Sequence, residues 1–489
     1  MSYGRIAVTR LGQLVAAIAL SFGWSVAVAS ANDLFGPFIS EADEARIGAE
    51  QHEQVLAEFG GAYDDPALAA YVDSVGQFLA LTSERPNVKF TFTVLNSPIV
   101  NAFALPGGYV YVTRGLLALS GDEAELAGVI AHEIGHVAAR HGAQRMSNAM
   151  LANLGLGLLG VLTDSEQVAG LAQLGALAVV QSYSREQEYE ADLLGVRYLS
   201  RAGFDPEAMA SFLSKLKAHS QLESIIAGNP QSKDQFDILA THPRTAERVR
   251  RAIQAAGARR VQEPIVGRQI YLNKINGTLY GDDPEQGIIN GREFVHPVLR
   301  FRFEAPPDFQ LLNGATQVLA KGPDGAALIF DLDQRKDSRS PRDYIRQVWA
   351  ADAKLDGLES IQINGYAAAT ATSTATISNQ NYNVRLVAIA FDSKIMFRFS
   401  FLTPPAVSGK YAEAFQRTTY SFKSISRSEA SQVKPRRLET YRVRRGDTAT
   451  AISKRIPGEK YPLERFLILN GRYPDDPLRE GEVVKTIAE

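Results

Sequence analysis

The stretch GVIAHEIGHVAARH, residues 128–141, places three of the chain's seven histidines within ten positions. His132 and His136 are four residues apart, so on an α-helix both rings leave one face, about 6 Å from each other. That separation suits two ligands on one tetrahedral zinc ion with bonds of about 2.0–2.1 Å. Glu133 lies about 100° around the helix from His132. It can stand over a water at the metal without binding the metal, which is the position of a general base. Histidines on the solvated face of an amphipathic helix would give the same letters. Fewer than about 0.01 such H-E-x-x-H motifs are expected by chance in this chain, which favours the metal. His141 stands about 180° from His132 and about 140° from His136 on a continuous helix. On that wheel it cannot join the same metal and reads as a helix-end residue.

A zinc ion with two histidines needs a third protein ligand while one position stays open for water. The segment SYSREQEYEAD, 182–192, offers it. Glu188 and Asp192 are again four apart and share one face of a second helix. Glu188 reads as the third ligand, and Asp192 as the acceptor that fixes the tautomer of a ligand histidine. Glu186 and Glu190 are competing ligands, and a merely solvated acidic helix is the bland alternative.

The rest of the composition narrows the field. At 489 residues, two to four domains are expected. There is no cysteine, so thiolate metal sites, cysteine nucleophiles and disulfides are excluded. The formal net charge of −2 gives no electrostatic case for nucleic acid as a partner. Residues 1–31 have the parts of a secretory signal: Arg5 and Arg10, an apolar run, and Ala27-x-Ala29 or Ala29-x-Ala31 as cleavage sites. A retained membrane anchor is the alternative, since the run is near spanning length. Cleavage would start the mature chain near Asn32, outside the cytoplasm.

Three textures follow. From about 32 to 263 the pattern is mainly helical with a strand-rich insert. KFTFTVL (89–95) alternates as a half-buried strand, and NAFALPGGYVYVTRGLLAL sets a glycine turn between two short strands. Ser120 and Glu123 read as a capping box opening the HEIGH helix. Two 13-residue apolar runs within 150–181 are too short to span a bilayer and read as buried or lid helices. A hydrophobic hairpin that touches membrane or unfolded substrate is the sharper alternative. From 265 to 430, VLRFRFEA, AALIFDLD, NYNVRLVAIAF and KIMFRFSFL predict strands, and SPRDYIRQVWAADAKL predicts a helix capped by Ser340. This is an α+β accessory domain of unknown role, and FRFEAPPDF gives it a faint likeness to the PsbP-like sandwich. Residues 431–440 read as a linker.

NAFALPGG, the HEIGH helix and SREQEYEAD, in this order and spacing, resemble the gluzincin zinc metallopeptidases of the HtpX, CAAX prenyl protease and BepA type. The similarity runs from about Ile47 to Arg251. The resemblance implies one Zn2+ per chain held by His132, His136 and Glu188, with Glu133 as catalytic base and Asp192 behind the ligands. It implies that Asn101, Ala102, Phe103, Ala104 and Leu105 form an edge strand that binds substrate through its backbone. THPRTAER (241–248) also fits the family. By the same resemblance His242 is a metal ligand that can hold the enzyme latent, and Arg248 a catalytic residue that steadies the oxyanion. The relatives' spanning helices and helical-repeat tails are missing here, so client preference does not transfer. The close, YRVRRGDTATAISKRIPGEKYPLERFLILNGRYPDDPLREGEVVKTI (441–487), resembles a LysM module of strand–helix–helix–strand plan, a type that often binds peptidoglycan.

The expected fold is therefore α+β: a mainly helical zincin-type metallopeptidase domain with a small edge-strand sheet, an α+β sandwich-like domain, and a small LysM-like βααβ module. The expected protein is a periplasmic zinc metalloendopeptidase that cleaves unfolded or misassembled envelope proteins, with peptidoglycan and outer-membrane assembly machinery as further candidate partners. A latent or non-catalytic envelope chaperone or cell-wall adaptor is the rival reading. A peptidoglycan hydrolase is a third, weaker because the metal region resembles proteases.

Overall fold

The computed structural model describes residues 39–147, 183–226, 242, 246–377 and 380–489. The signal segment and the apolar runs within 150–181 lie outside the described residues. Among the described residues, no helix is long and apolar enough to cross a membrane. The described residues form two compact units, one from 39–281 together with 436–489, the other from 282–435.

The first unit opens with α1 (Glu41–Glu58) and α2 (Pro66–Ala80), each started by a side-chain cap, Ser40 and Asp65. A three-stranded sheet follows: β1 (Thr91–Leu95), β2 (Ala102–Leu105) and β3 (Tyr109–Thr113), in the order β1-β3-β2. β1 runs parallel to β3, and β2 runs antiparallel to it. The turn between β2 and β3 needs its two glycines, since Gly107 and Gly108 have φ of 82° and 90°. Phe90, Phe92 and Val94 are buried, as their alternation predicts.

A short helix α3 (Arg114–Leu119) then leads into α4 (Glu123–Ala138), which carries the HEIGH motif. The cap differs from the expected one. Asp122 is the N-cap and accepts from Glu125 N at 2.9 Å, while Ser120 donates back to Leu116 O. The helix starts two residues later because the Glu125 carboxylate bonds Gly121 N at 2.7 Å and closes the turn from inside. α4 is buried on nearly every side, against α2, β2, α5 (Arg185–Arg201) and α6 (Ala208–Ile226). Two glycines let α4 and α5 approach closely. A Cβ on Gly135 would lie 3.1 Å from Ala191 O, and one on Gly195 would lie 3.2 Å from His132 N. This contact brings the acidic face of α5 onto the two histidines.

α7 (Ala246–Gly257) and α8 (Arg268–Ile275) complete this part. Although 265 marks the expected domain boundary, α8 belongs to the first unit, because Tyr271, Leu272 and Ile275 are buried in its core.

The second unit is almost wholly antiparallel. Seven strands form one sheet in the order β10-β11-β12-β13-β9-β8-β7: β7 (Gln310–Asn313), β8 (Gln317–Lys321), β9 (Ala327–Gln334), β10 (Asp356–Ile363), β11 (Tyr366–Ile377), β12 (Gln380–Ala390) and β13 (Ile395–Thr403). A smaller sheet holds β4 (Ile288–Asn290), β5 (Glu293–His296), β6 (Phe301–Glu304) and β14 (Lys423–Ser424). An aromatic core that includes Phe301, Phe303, Phe330, Phe397, Phe399 and Phe422 joins them with the helix Ser408–Ser421. The other face of the large sheet packs Ile329, Leu386 and Met396 against Tyr344, Ile345 and Trp349. Ser340 caps that helix as expected, but the helical stretch ends at Trp349.

The chain then returns to the first unit. Residues 277–280 pair with 436–438: Gly277 N donates to Leu438 O, Leu438 N to Thr278 O, and Tyr280 N to Arg436 O, at 2.8–2.9 Å. The expected linker 431–440 is therefore strand from Arg437 onward. β15 (Arg437–Arg442) pairs antiparallel with β16 (Val483–Ala488), and the helices Ala449–Ser453 and Pro462–Asn470 lie between them in sequence, giving a βααβ order. This segment docks through buried groups. Lys485 Nζ donates to the carbonyls of Ala118 (2.6 Å), Leu119 (3.2 Å) and Ser120 (2.7 Å) at the end of α3. Arg465 reaches Glu223 of α6 at 2.7 Å.

Candidate active site

The HEIGH turns of α4 and the first turns of α5 face each other across the glycine contact. His132 Nε2 and His136 Nε2 stand 3.0 Å apart. Glu188 presents its carboxylate 3.4 Å from His136 Nε2 and 3.6 Å from His132 Nε2. His242 joins from the segment before α7, with Nδ1 3.3 Å from His132 Nε2 and 2.9 Å from Glu188 Oε1. All four residues are buried, and their ligand atoms lie within 4.8 Å of one another. For bonds of about 2.0–2.1 Å, two donors of a tetrahedral zinc ion stand about 3.3–3.4 Å apart. The observed separations bracket that value. Beside this cage, both Glu133 oxygens are buried and have no hydrogen bond among the described residues, and His242 Nε2, also without one there, lies 3.5 Å from Glu133 Oε1. Buried carboxylate oxygens left this way are costly unless a cation or bound water completes them. Three imidazoles and a carboxylate, all N and O donors, fit zinc.

The electrostatics suit ligation. Burial, reinforced by His132 and His242, holds the His136 pKa well below its ordinary value, so the ring is neutral. Burial pushes the Glu188 carboxyl up, but His242, His136 and Arg248 outweigh it and keep it well below the usual range. His242 shifts the other way. Burial lowers it, and the Glu188 and Glu133 carboxylates more than reverse this.

Behind the cage, Asp192 Oδ1 lies 3.0 Å from His132 Nδ1, an ion-pair contact. Arg248, the residue expected to steady the oxyanion, lies against Glu188 and Asp192 of α5. Its fork holds Asp192 through Nε at 2.8 Å and Nη2 at 2.7 Å, and Nη1 contacts Glu188. The guanidinium thus contacts both carboxylates, in the paired geometry an arginine fork allows. Burial raises the Asp192 carboxyl, and Arg248 with His132 brings it below the ordinary value.

The competing ligands fall away. Glu186 and Glu190 are exposed, and Glu190 reaches His141 at 3.3 Å. His141 is not a surface helix-end residue. It is 1% exposed, and its Nδ1 lies 2.8 Å from His136 Nδ1. Tyr183, which the sequence pattern does not single out, stacks on the His136 ring at 3.7 Å and 17°, and Arg145 lies over the same tyrosine. Its only sequence signal is its place just before the cap of α5. Ala102–Leu105 is an edge strand, paired among the described residues only with β3, and β2 packs against α4. Asn101 precedes it, its backbone tied to Thr113.

Residues 66–256 match peptidase family M48. This stretch is an M48 domain. The family consists of zinc metallopeptidases, in keeping with the cage. The chain is 33% identical over 248 residues to the beta-barrel assembly-enhancing protease of Escherichia coli strain K12, covering 49% of each protein. It is 37% identical over 246 residues to the protein of the same name from Yersinia pestis, covering 48% of each. The mitochondrial metalloendopeptidase OMA1 of Schizosaccharomyces pombe is 31% identical over 219 residues, 42% of this chain and 59% of that one. The chain thus spans about half the length of the assembly-enhancing proteases it matches. Among solved structures, the cyanobacterial PsbP from Synechocystis sp. PCC 6803 is matched at 13% identity over 29% of this chain and 98% of its own, with a TM-score of 0.22, too low to assign a fold.

Proposed function

We propose that this protein is a zinc-dependent endopeptidase of the bacterial envelope, held latent by His242, that cleaves unfolded or misassembled polypeptides. One observation carries the reading: His132, His136, Glu188 and His242 bring four ligand atoms together beside a buried Glu133 whose carboxylate has no hydrogen bond among the described residues. The names of the bacterial relatives support outer-membrane β-barrel assembly as the setting, and a periplasmic location goes with it.

When bound in this cage, zinc supplies Lewis-acid polarisation and makes a neighbouring water acidic. The chain's own residues do the rest. The β2 edge, Ala102–Leu105 with Asn101 before it, aligns an extended peptide by backbone hydrogen bonds, which selects weakly for sequence. Glu133 takes the proton of the attacking water and returns it to the leaving amine nitrogen as the peptide bond breaks. Asp192 and Arg248 hold His132 and Glu188 in place. His242 would be the fourth residue holding the ion, and cleavage would then require it to leave.

The test is cleavage of casein by the zinc-loaded full chain. Glu133→Gln is expected to keep its zinc and lose about 100-fold or more in rate, and cleavage at the wild-type rate would refute the mechanism. His242→Ala is expected to raise the rate, and an unchanged or lower rate rejects the latch. The four-ligand cage also favours the second reading, a closed site in a chaperone or in an adaptor that binds peptidoglycan through the βααβ segment. That reading predicts no cleavage by His242→Ala at all.

A further inference from the structure

The structure assigns a joint role to His141 and Glu190, which form a hydrogen-bonded chain behind His136 that fixes its tautomer and leaves Nε2 bare toward the cage. This rests on the zinc reading above, and concerns residues that no part of that reading requires.

From the rim inward, each hydrogen position follows from the one before it. The exposed Glu190 carboxylate lies 3.3 Å from His141 Nε2. A carboxylate only accepts, so that nitrogen carries the hydrogen. His141 is buried, and a neutral ring with hydrogen on Nε2 has a bare Nδ1. That bare Nδ1 lies 2.8 Å from His136 Nδ1 and can only accept, so His136 donates from Nδ1. A neutral His136 then has its lone pair on Nε2, the atom facing His132 and Glu188. Each helix-borne ligand histidine thus has its own partner, Asp192 for His132 and the His141–Glu190 pair for His136. Tyr183 stacks on the His136 ring and limits rotation about the remaining axis.

The backbone shows how His141 comes to be there. α4 ends at Ala138, Arg140 takes the left-handed conformation with φ of 57°, and a new helical turn begins at His141. Arg140 is held in that conformation by Glu44 at 2.6 Å and by the Ile39 carbonyl at 2.6 Å. The reversal turns His141 back toward His136.

The experiment is zinc affinity of the full-length protein by chelator competition, with casein cleavage measured in parallel. His141→Ala is expected to weaken zinc binding about 10–100-fold, the usual cost of losing such a partner. His141→Asn, whose side-chain oxygen can accept from His136 Nδ1–H, is expected to restore affinity to within a few-fold of wild type. Glu190→Gln, an exposed and structurally mild change, is expected to weaken binding a few-fold. Wild-type affinity in both His141→Ala and Glu190→Gln would overturn the assignment. So would equal losses in His141→Ala and His141→Asn, since packing alone predicts no rescue. If His141→Ala does not fold, the Asn and Gln variants decide. His136→Ala separates the two levels: retained zinc there refutes the metal site itself, whereas lost zinc there with unaltered binding in His141→Ala refutes only the chain behind it.

Discussion

At the scale of single residues, the buried ion group Arg248–Asp192–Glu188 decides whether the cage is preformed. Three guanidinium nitrogens contact two carboxylates whose other contacts are ligand histidines, so the arginine sets the positions of both acids. A lysine cannot reproduce the planar fork. Arg248→Lys is therefore expected to cost about 1–3 kcal/mol of stability and to weaken zinc binding. Thermal unfolding by circular dichroism together with chelator competition checks both, and wild-type values in both would mean that the fork is dispensable. Much of this site can be read from spacing alone. His132, Glu133 and His136 follow from one helical turn, whereas in the second helix spacing leaves Glu186 and Glu190, also four apart, competing with Glu188. The contact of His141 cannot be read that way, because the helical wheel assumes a continuous helix through A-A-R-H and nothing in those letters marks a left-handed Arg140. The side chain of that arginine bonds Glu44, nearly a hundred positions upstream. The contacts of Arg248 escape the sequence for a related reason, since the direction of a long side chain depends on partners that sequence does not reveal.

At the scale of elements, the turn that launches α4 carries an unusual load. Glu125 closes it from inside by accepting from Gly121 N and from Lys215 Nζ, both at 2.7 Å. From outside, Lys485 of β16 reaches three carbonyls at the end of α3. The nitrogen thus meets three acceptors, while burial, with Lys215 nearby, holds its pKa well below the ordinary lysine value. Lys485→Met keeps the length and removes the donors. Relief from burying a charge offsets part of the loss, and the net expectation is a destabilisation of about 1–3 kcal/mol. Helix unfolding followed at 222 nm measures it, and an unchanged midpoint would show that the docking rests on apolar contacts alone. The βααβ order is legible in the last fifty residues, but the docking is not. In a strand VVKTIA, a lysine reads as a position facing solvent, and only the meeting of β16 with α3 buries it. The capping shift from Ser120 to Asp122 has the same origin, because the Glu125 bond to Gly121 competes with the cap that spacing alone suggests.

At the scale of the whole molecule, the order of units along the chain is the feature that sequence texture hides. Changes in composition mark where strands begin, yet they cannot show that residues 436–489 fold with the first part of the chain and not after the second. In consequence the 282–435 unit is an insertion whose entry and exit are hydrogen-bonded to each other through 277–280 and 436–438. Such a crossing has the form of a hairpin stem, and a two-residue Asn-Gly turn can close a stem of that kind. Joining Gly281 to Arg436 through that turn, with 282–435 removed, is expected to leave a helix-rich protein that unfolds cooperatively and binds one zinc per chain. The β15–β16 pair, the Lys485 contacts and the four-residue cage all lie outside the deleted stretch. Zinc stoichiometry and a melting curve read the outcome. A soluble, zinc-loaded product would separate the M48 domain and its C-terminal segment from whatever the inserted unit contributes to client choice. Loss of zinc or of cooperative unfolding would instead show that the inserted unit is needed to hold the two halves of the stem together. The contrasting deletion, removal of 436–489 alone, strips Leu438 from the core and Lys485 from the turn before α4, and is expected to be the more damaging of the two.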